Sequence, residues 1–472
     1  MIKPIFIVAV LLSTITIYGQ KTSINIDQAI LLALNSNRQI EIAKMEVEKA
    51  DAAVSEAFGY ALPSLDISGG YTHFIQKPQT AFPDFGAMLN NSTYSVLFDE
   101  GIIPRDNNKF LPMDFKLQTF SLTNNFQTQA TVSQILFNSA VFTGIGASKI
   151  YKNYAIENLK STIAQTILET KKAFYGVLLT RDLYEIANAR FNNANAHLKN
   201  IKALREQGLV SEFSQMQVEV QVENIKPQLI KLENANIDAE NGLKILLNIP
   251  QKDPIDVVGE MIYDGQEIPS EIELIEEAKN SNLSLKTLKT KYKLDEEYAT
   301  IDKSNYWPTI TAFGNYTYAG SSDKWDFTNY SSSTVGLNFS INLFQGGRTE
   351  NKVEQDLIAA KQTLEQIHSL TDATEMQVKS KLNDLKRVKQ QIEAMQNNIS
   401  LAEKAYEIAS NRYKEGLGSE LEVKDADVSL SESRINYTNA VHDYLLAKAM
   451  LDNLIGRINS EYLDYVKSYI EN

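Results

Sequence analysis

The stretch TVGLNFSINLFQGG, Thr334 to Gly347, decides the fold. Its odd positions, Val335, Leu337, Phe339, Ile341 and Leu343, are apolar. Between them stand Thr334, Gly336, Asn338, Ser340 and Asn342. Period-two alternation predicts a strand, 333–344, with one apolar and one wet face. The next segment is of another kind. From Arg348 to Glu415 there is neither proline nor glycine, which predicts a helix of ~100 Å at ~1.5 Å per residue. Val388, Ile392, Met395, Ile399, Ala402, Tyr406, Ala409 and Tyr413 repeat at four and three, the spacing of a coiled-coil seam. A strand beside a coiled coil has nothing there against which to bury five apolar side chains.

Three more strands share the problem. ALNSNRQI (33–40) resembles AKNSNLSL (278–285), and ALPSLDISGGYT (61–72) resembles YWPTITAFGNYT (306–317), both at an offset of 245. EQGLVSEF (206–213) resembles KEGLGSEL (414–421) at an offset of about 207, so the first copy carries an insertion. The chain is therefore two copies of one unit, each reading helix, strand, loop, strand, long helix, tight turn, long helix. The first repeat spans 20–248, with a helix at 25–60, strands at 64–74 and 122–137, a loop at 75–121 and a helical hairpin at 140–248. The second spans 271–457, with a helix at 271–305, strands at 309–318 and 333–344, and a hairpin at 348–457. Residues 249–270 link the copies as a small loop and strand patch, and 458–472 form a tail. Pro63 and Pro308 stop the first helices and open the strands.

Composition narrows the class. The chain has 472 residues, 21 Gly, 11 Pro, no Cys, four His and a net charge of −13. Scarce Gly and Pro suit long elements. The absence of Cys excludes thiolate chemistry, scattered His argue against a metal site, and the acidic balance argues against nucleic acid. There is no phosphate loop and no nucleophile elbow, so no enzyme site, cofactor or metal is expected. MIKPIFIVAVLLSTITIYGQ reads as a secretory signal peptide, residues 1–19.

A secreted chain with four alternating strands near bilayer-crossing length, and no apolar helix of ~20 residues, fits a membrane β-barrel. Apolar faces would meet lipid and polar faces would line water. An open sheet leaves unsatisfied edges in lipid, and four strands are too few to close, so several chains would share the barrel. The insertion between Ile75 and Phe120 would then be an extracellular loop.

The order of elements resembles the TolC-like outer membrane factor family over essentially the mature chain. The residues that carry it are the strand starts at Pro63 and Pro308, the exit LFQGGR (343–348), and the turns QGLVSEFSQMQ (207–217) and YKEGLGSELEVKDAD (413–427). The resemblance implies a mainly α protein with membrane β structure: a homotrimer with a twelve-stranded outer membrane β-barrel, four strands per chain, continued by a periplasmic α-helical barrel of coiled-coil hairpins. It implies the exit duct of a tripartite efflux pump. The duct would dock a periplasmic adaptor and an inner membrane transporter of RND or ABC type, and pass small molecules without a cofactor. Glu422 and Asp425 match the paired acids that ring the periplasmic constriction, a ring that would favour cations. Tyr413 matches a latch tyrosine, whose usual acidic partner position is here Ser214 and whose latch arginine position is Gly418. Gly208, Leu209, Val210, Gly416, Leu417 and Gly418 match hairpin tips that contact the adaptor. Two other readings stay open: a type I protein secretion duct and a periplasmic coiled-coil adaptor.

Overall fold

The computed structural model describes residues 22–458 and 460–462; the signal-peptide reading of 1–19 lies outside them. The first repeat opens with β1 (Thr22–Ile24), α1 (Ile26–Ser36) and α2 (Arg38–Gly59). It continues through β2 (Ser64–His73), β3 (Thr80–Pro83), α3 (Phe85–Asp99), β4 (Phe115–Gln118) and β5 (Asn124–Phe137) to α4 (Ser139–Glu206) and α5 (Glu212–Leu246). After β6 (Ile255–Val257), the second repeat runs α6 (Glu271–Ser281), α7 (Leu283–Lys303), β7 (Thr309–Ser322), β8 (Thr328–Ser340), α8 (Arg348–Lys414) and α9 (Glu420–Leu454). Helices α4 and α8 have 68 and 67 residues, and α5 and α9 have 35 each.

The single helices expected at 25–60 and 271–305 are each two helices. Asn37 and Asn282 interrupt them with non-helical backbone. Each asparagine caps the next helix with its side-chain oxygen, accepting from the amides of Gln39 and Leu285. Each donates its side-chain nitrogen to the last turn of the returning hairpin helix, Asn37 to the Leu246 carbonyl and Asn282 to Leu454. The repeated NSN thus closes each repeat on itself by satisfying an orphan helix-end carbonyl.

The compact units do not follow the repeats. Among the described residues, one falls within 1–54, 147–299 and 354–472, the other within 55–146 and 300–353, so each takes residues from both copies. The first is helical. Its cores join Val378, Leu382, Val388 and Ile392 of α8 to Val441, Tyr444 and Leu451 of α9, and Phe174, Val177 and Leu178 of α4 to Leu243 of α5. The segment 249–270 contributes a strand: β6 pairs in parallel with β1, and Arg181 donates to the carbonyls of Val257 and Gly259.

The second unit holds an antiparallel sheet of order β2-β5-β7-β8. The expected end of the last strand at 344 is too late. Thr309 pairs with Ser340, and the preceding residue is Pro308, which cannot extend the ladder, so Ile341 and Leu343 lie past the strand. At the other end the pairing continues through hydroxyl-rich residues to Ser321–Thr328, so β7 and β8 are longer than their apolar pattern. The 75–121 segment is more than a loop. Strands β3 and β4 pair and flank α3, and Asn91 both donates to the Leu111 carbonyl and accepts from its amide. Asp323, in the β7–β8 turn, anchors the root of this insertion, taking Lys77 as an ion pair and the Thr123 amide and hydroxyl as donors.

Candidate functional sites: a two-faced sheet and the hairpin tips

The register assigns every sheet residue to a face. Leu65, Val132, Gly314 and Val335 form one cross-strand row. Two residues along β2, Ile67, Ala130, Tyr316 and Ser333 form the next. This face shows its large side chains to solvent, with Ile67 73% and Val335 87% exposed. Tyr71 stacks on Trp325, which also meets Phe327, and Phe327 meets Phe126, an aromatic cluster at the β7–β8 turn. The second tryptophan, Trp307, precedes the other end of β7 and is exposed. Aromatic residues at both margins of an apolar band are the pattern of a barrel wall in lipid.

The opposite face is polar. Asp66, Thr131, Asn315 and Thr334 make one row, and Ser68, Gln129, Thr317 and Ser332 the next. A concavity of about 460 Å³ on it is lined by residues such as Ser68, Gln127, Gln129 and Tyr330. Strands β2 and β8 are the two sheet edges. Among the described residues no helix is long and apolar enough to cross a membrane.

The hairpin tips are built alike. Gly208 and Gly416 adopt φ of 74° and 75°, a conformation that costs most other residues ~1–2 kcal/mol. The amides of Gly208 and Leu209 return to the carbonyls of Arg205 and Leu204, and those of Gly416 and Leu417 to Tyr413 and Arg412, closing both helix ends. Ser211 and Ser419 then cap α5 and α9 by accepting from the Ser214 and Glu422 amides. Leu209 and Leu417 project at these turns, both about two-thirds exposed, with Val210 half-buried. Gly418 is packed tightly against Arg412 and Tyr413.

The matched gate residues fall in different surroundings. Glu422 and Asp425 are exposed on the first turns of α9. Glu422 lies 3.9 Å from Arg412, which also donates to the Leu417 carbonyl. The Ser214 hydroxyl lies 3.0 Å from that of Ser211, within its own turn. Tyr413 instead meets His197 of α4 edge to face, with ring centroids 5.3 Å apart.

His197 opens a cluster that the residue pattern did not mark. Its Nε2 is 4.0 Å from Glu420, and Arg190, two turns earlier on α4, is 3.4 Å from Asp427. Burial pushes the Glu420 and Asp427 carboxyls up, Asp427 being partly restrained by Arg190. Burial pushes His197 down. The cluster joins the first hairpin to the second. Two signals were present, the HLKNIKALRE run and the acids after Ser419, but nothing periodic relates residues over two hundred positions apart.

The pH response of this cluster has a definite sign. The depressed His197 contributes stability above pH ~6.5 that is lost as pH falls through its folded value. Glu420, raised by burial, acts oppositely, stabilising as it protonates. In a Glu420→Gln background that opposing contribution is removed, and Asp427, also raised by burial, is common to the variants compared. Amide protection at 190–205 and 413–425, corrected for the intrinsic exchange rate, is expected to fall on going from pH ~7.5 to ~5.5, and this fall is expected to be lost when His197→Gln is added. A response unchanged by His197→Gln would exclude the histidine as its origin.

A sheet with a lipid-type face and a water-type face, carried with two long helical hairpins, defines an outer membrane channel protein. The chain belongs to the outer membrane efflux protein family, whose model matches residues 29–248 and 274–457. Among curated relatives, outer membrane protein TolC of Salmonella enteritidis is 24% identical, over 72% of this chain and 71% of that one. Outer membrane efflux protein BepC of Brucella suis is 21% identical, over 72% and 75%. Among solved structures, the CmeC outer membrane channel of Campylobacter jejuni covers 94% of this chain and 89% of its own, with 15% identity and a TM-score of 0.72. VceC of Vibrio cholerae covers 91% and 96%, with 14% identity and a TM-score of 0.68. These structures share the fold, and the protein is an outer membrane transport channel of this family.

Proposed function

We propose that three copies of this chain form the exit duct of a tripartite efflux pump. The observation that supports it most is the open, two-faced sheet. In lipid the β2 and β8 edges would leave backbone groups without partners, each costing several kcal/mol. Three sheets joined edge to edge give twelve strands and remove every edge. The polar faces then line a water-filled lumen. The helical hairpins form the periplasmic part, and the 75–121 insertion lies outside the cell.

At the periplasmic entrance, threefold symmetry brings Glu422 and Asp425 of each chain into a ring of carboxylates that favours cations. Tyr413 belongs to the closed state through its contact with His197, and Ser214 stands on the neighbouring tip. Gly208, Leu209 and Val210, with Gly416, Leu417 and Gly418, dock the periplasmic adaptor through the exposed leucines. The duct performs no catalysis and needs no cofactor or metal. An inner membrane transporter supplies the energy, and small molecules are the cargo.

Native mass and single-channel conductance test this reading. Membrane-extracted protein is expected to carry three chains and to open small, cation-selective channels. Glu422→Ala with Asp425→Ala is expected to raise conductance several-fold or abolish cation preference. Trimers without channel activity would remove the duct. Identical channels in both proteins would remove the carboxylate ring and keep the duct.

A further inference from the structure

The insertion between β2 and β5 holds a helix with two lines of side chains that ask for cover. Ala87, Asn91, Tyr94 and Phe98 form the first, at steps of four, three and four along α3. This line is met from within the insertion. Ala87 is buried, Asn91 is tied to Leu111, and Phe98 meets both Tyr94 and Phe110. Asn90 donates to the Lys109 carbonyl, so 107–111 lies against this side. About half a turn away, Phe85, Leu89, Ser92 and Val96 repeat the same steps. Here Phe85 is 52%, Leu89 61% and Val96 60% exposed. Asp84 holds the helix in this orientation. It caps α3 by accepting from the Gly86 and Ala87 amides, and it pairs with Lys116 of β4. The outer line is thus fixed in place and uncovered, with the spacing of a coiled-coil seam.

We propose that the α3 seams of three copies pack on one another at the threefold axis, as a small helical bundle that caps the extracellular mouth. The inference rests on the trimer reading. A seam with steps of three and four packs on a helix of the same spacing, and among the described residues of the insertion α3 is the one α-helix. Its partner is therefore α3 of another copy. In a cyclic trimer a line of residues meets its own copies only at the axis, so this contact stands over the lumen.

Barrel dimensions bring the copies together. Twelve strands ~4.8 Å apart and tilted by ~40° close a ring of ~12 Å radius, on which three equivalent roots stand ~21 Å apart. A compact segment of the length of 75–121 is ~25 Å across. Insertions that stand over the wall therefore cannot avoid one another. Their roots are pinned to the wall: Asp323 holds Lys77 and Thr123, and Phe82 packs edge to face on Phe120. Leaning outward would not bring the seam into lipid. Tyr71, Trp325 and Phe327, at the same β7–β8 turn, already mark the outer margin of the apolar band. Beyond that margin only another copy removes Phe85, Leu89 and Val96 from water. An axial bundle leaves the gaps between the three roots as the way out of the lumen.

The chain contains no cysteine, so an introduced one reports cleanly. A disulfide requires Cα atoms within about 7 Å. Outer membranes carrying Leu89→Cys are expected, on oxidation, to yield a reducible covalent dimer in SDS. One chain of each trimer stays single, because each sulfur bonds once. Lys109→Cys, exposed on the covered side of α3, is expected to remain monomeric in SDS. Native trimers of Leu89→Cys that give no dimer would overturn the bundle. So would equal dimers from Lys109→Cys, which would mark chance collision between trimers. Phe115 is exposed on the β3–β4 ribbon and offers the other apolar surface of the insertion. Reducible trimers from Leu89→Cys with Phe115→Cys, without dimers from Leu89→Cys alone, would seat α3 on the neighbour's ribbon and overturn the axial contact. A native mass of one chain would overturn the trimer reading on which the bundle rests.

Discussion

Val335→Arg is expected to remove most of the protein from the outer membrane, whereas Thr334→Arg, one residue earlier, is expected to leave its level close to normal. The two positions are adjacent in sequence and opposite in the sheet. Val335 lies in the row with Leu65, Val132 and Gly314 and is 87% exposed on the apolar face. A lysine or arginine on the lipid face of a barrel costs ~2–4 kcal/mol near the bilayer midplane. In a symmetric trimer the cost recurs in every copy. Thr334 lies in the row with Asp66, Thr131 and Asn315, on the face assigned to water, where an arginine stays hydrated. The measurement is the amount of heat-modifiable protein in purified outer membranes. Equal levels for the two variants would show that the apolar face does not meet lipid. Stronger loss with Thr334→Arg would invert the assignment of the faces.

Gly456→Ala is expected to be the most damaging single methyl group in the helical unit. Gly456 ends α9 with φ of 75°, its amide returning to the Asn453 carbonyl and that of Arg457 to Asp452. A Cβ there would lie less than 3.0 Å from the backbone carbonyl of Ser281. Two penalties therefore add. The left-handed conformation costs ~1–2 kcal/mol for an L-residue, and backbone on both sides prevents relief of the clash, which brings the total to roughly 3 kcal/mol or more. The same turn in the first repeat is made by Asn248 with φ of 53°, a residue that tolerates this conformation. Gly416→Ala is the control. It has the same φ of 75° but open space around the added carbon, so only the conformational cost of ~1–2 kcal/mol applies. Urea unfolding followed by far-UV circular dichroism distinguishes them. Equal midpoint shifts would show that the Ser281 contact relaxes freely.

Much of this was legible in the residues because it is local. Alternation at Thr334–Ser340 sorted the side chains into two faces without reference to any partner. Gly208 and Gly416, each followed by a capping serine three residues on, marked the two hairpin tips. The doubled NSN and the prolines at 63 and 308 marked the duplication. These features arise from backbone geometry and period, which act over a few residues.

Tertiary structure decided the rest, because it depends on pairings between segments far apart. Strand ends were set by neighbours: β8 stops at Ser340 because its partner begins after Pro308, and it starts at Thr328 because hydroxyl-rich residues pair as readily as apolar ones. Strand order β2-β5-β7-β8 and the division into two units that cut across both repeats have no periodic signature. The fold brings Tyr413 not to Ser214 but to His197, on a helix of the other hairpin. That meeting depends on how two long helices are staggered, a quantity set by packing along their whole length. The residue pattern thus determined which faces exist and where the chain turns. Only the packed chain determined which faces are already covered, and which two strands, β2 and β8, are left as sheet edges.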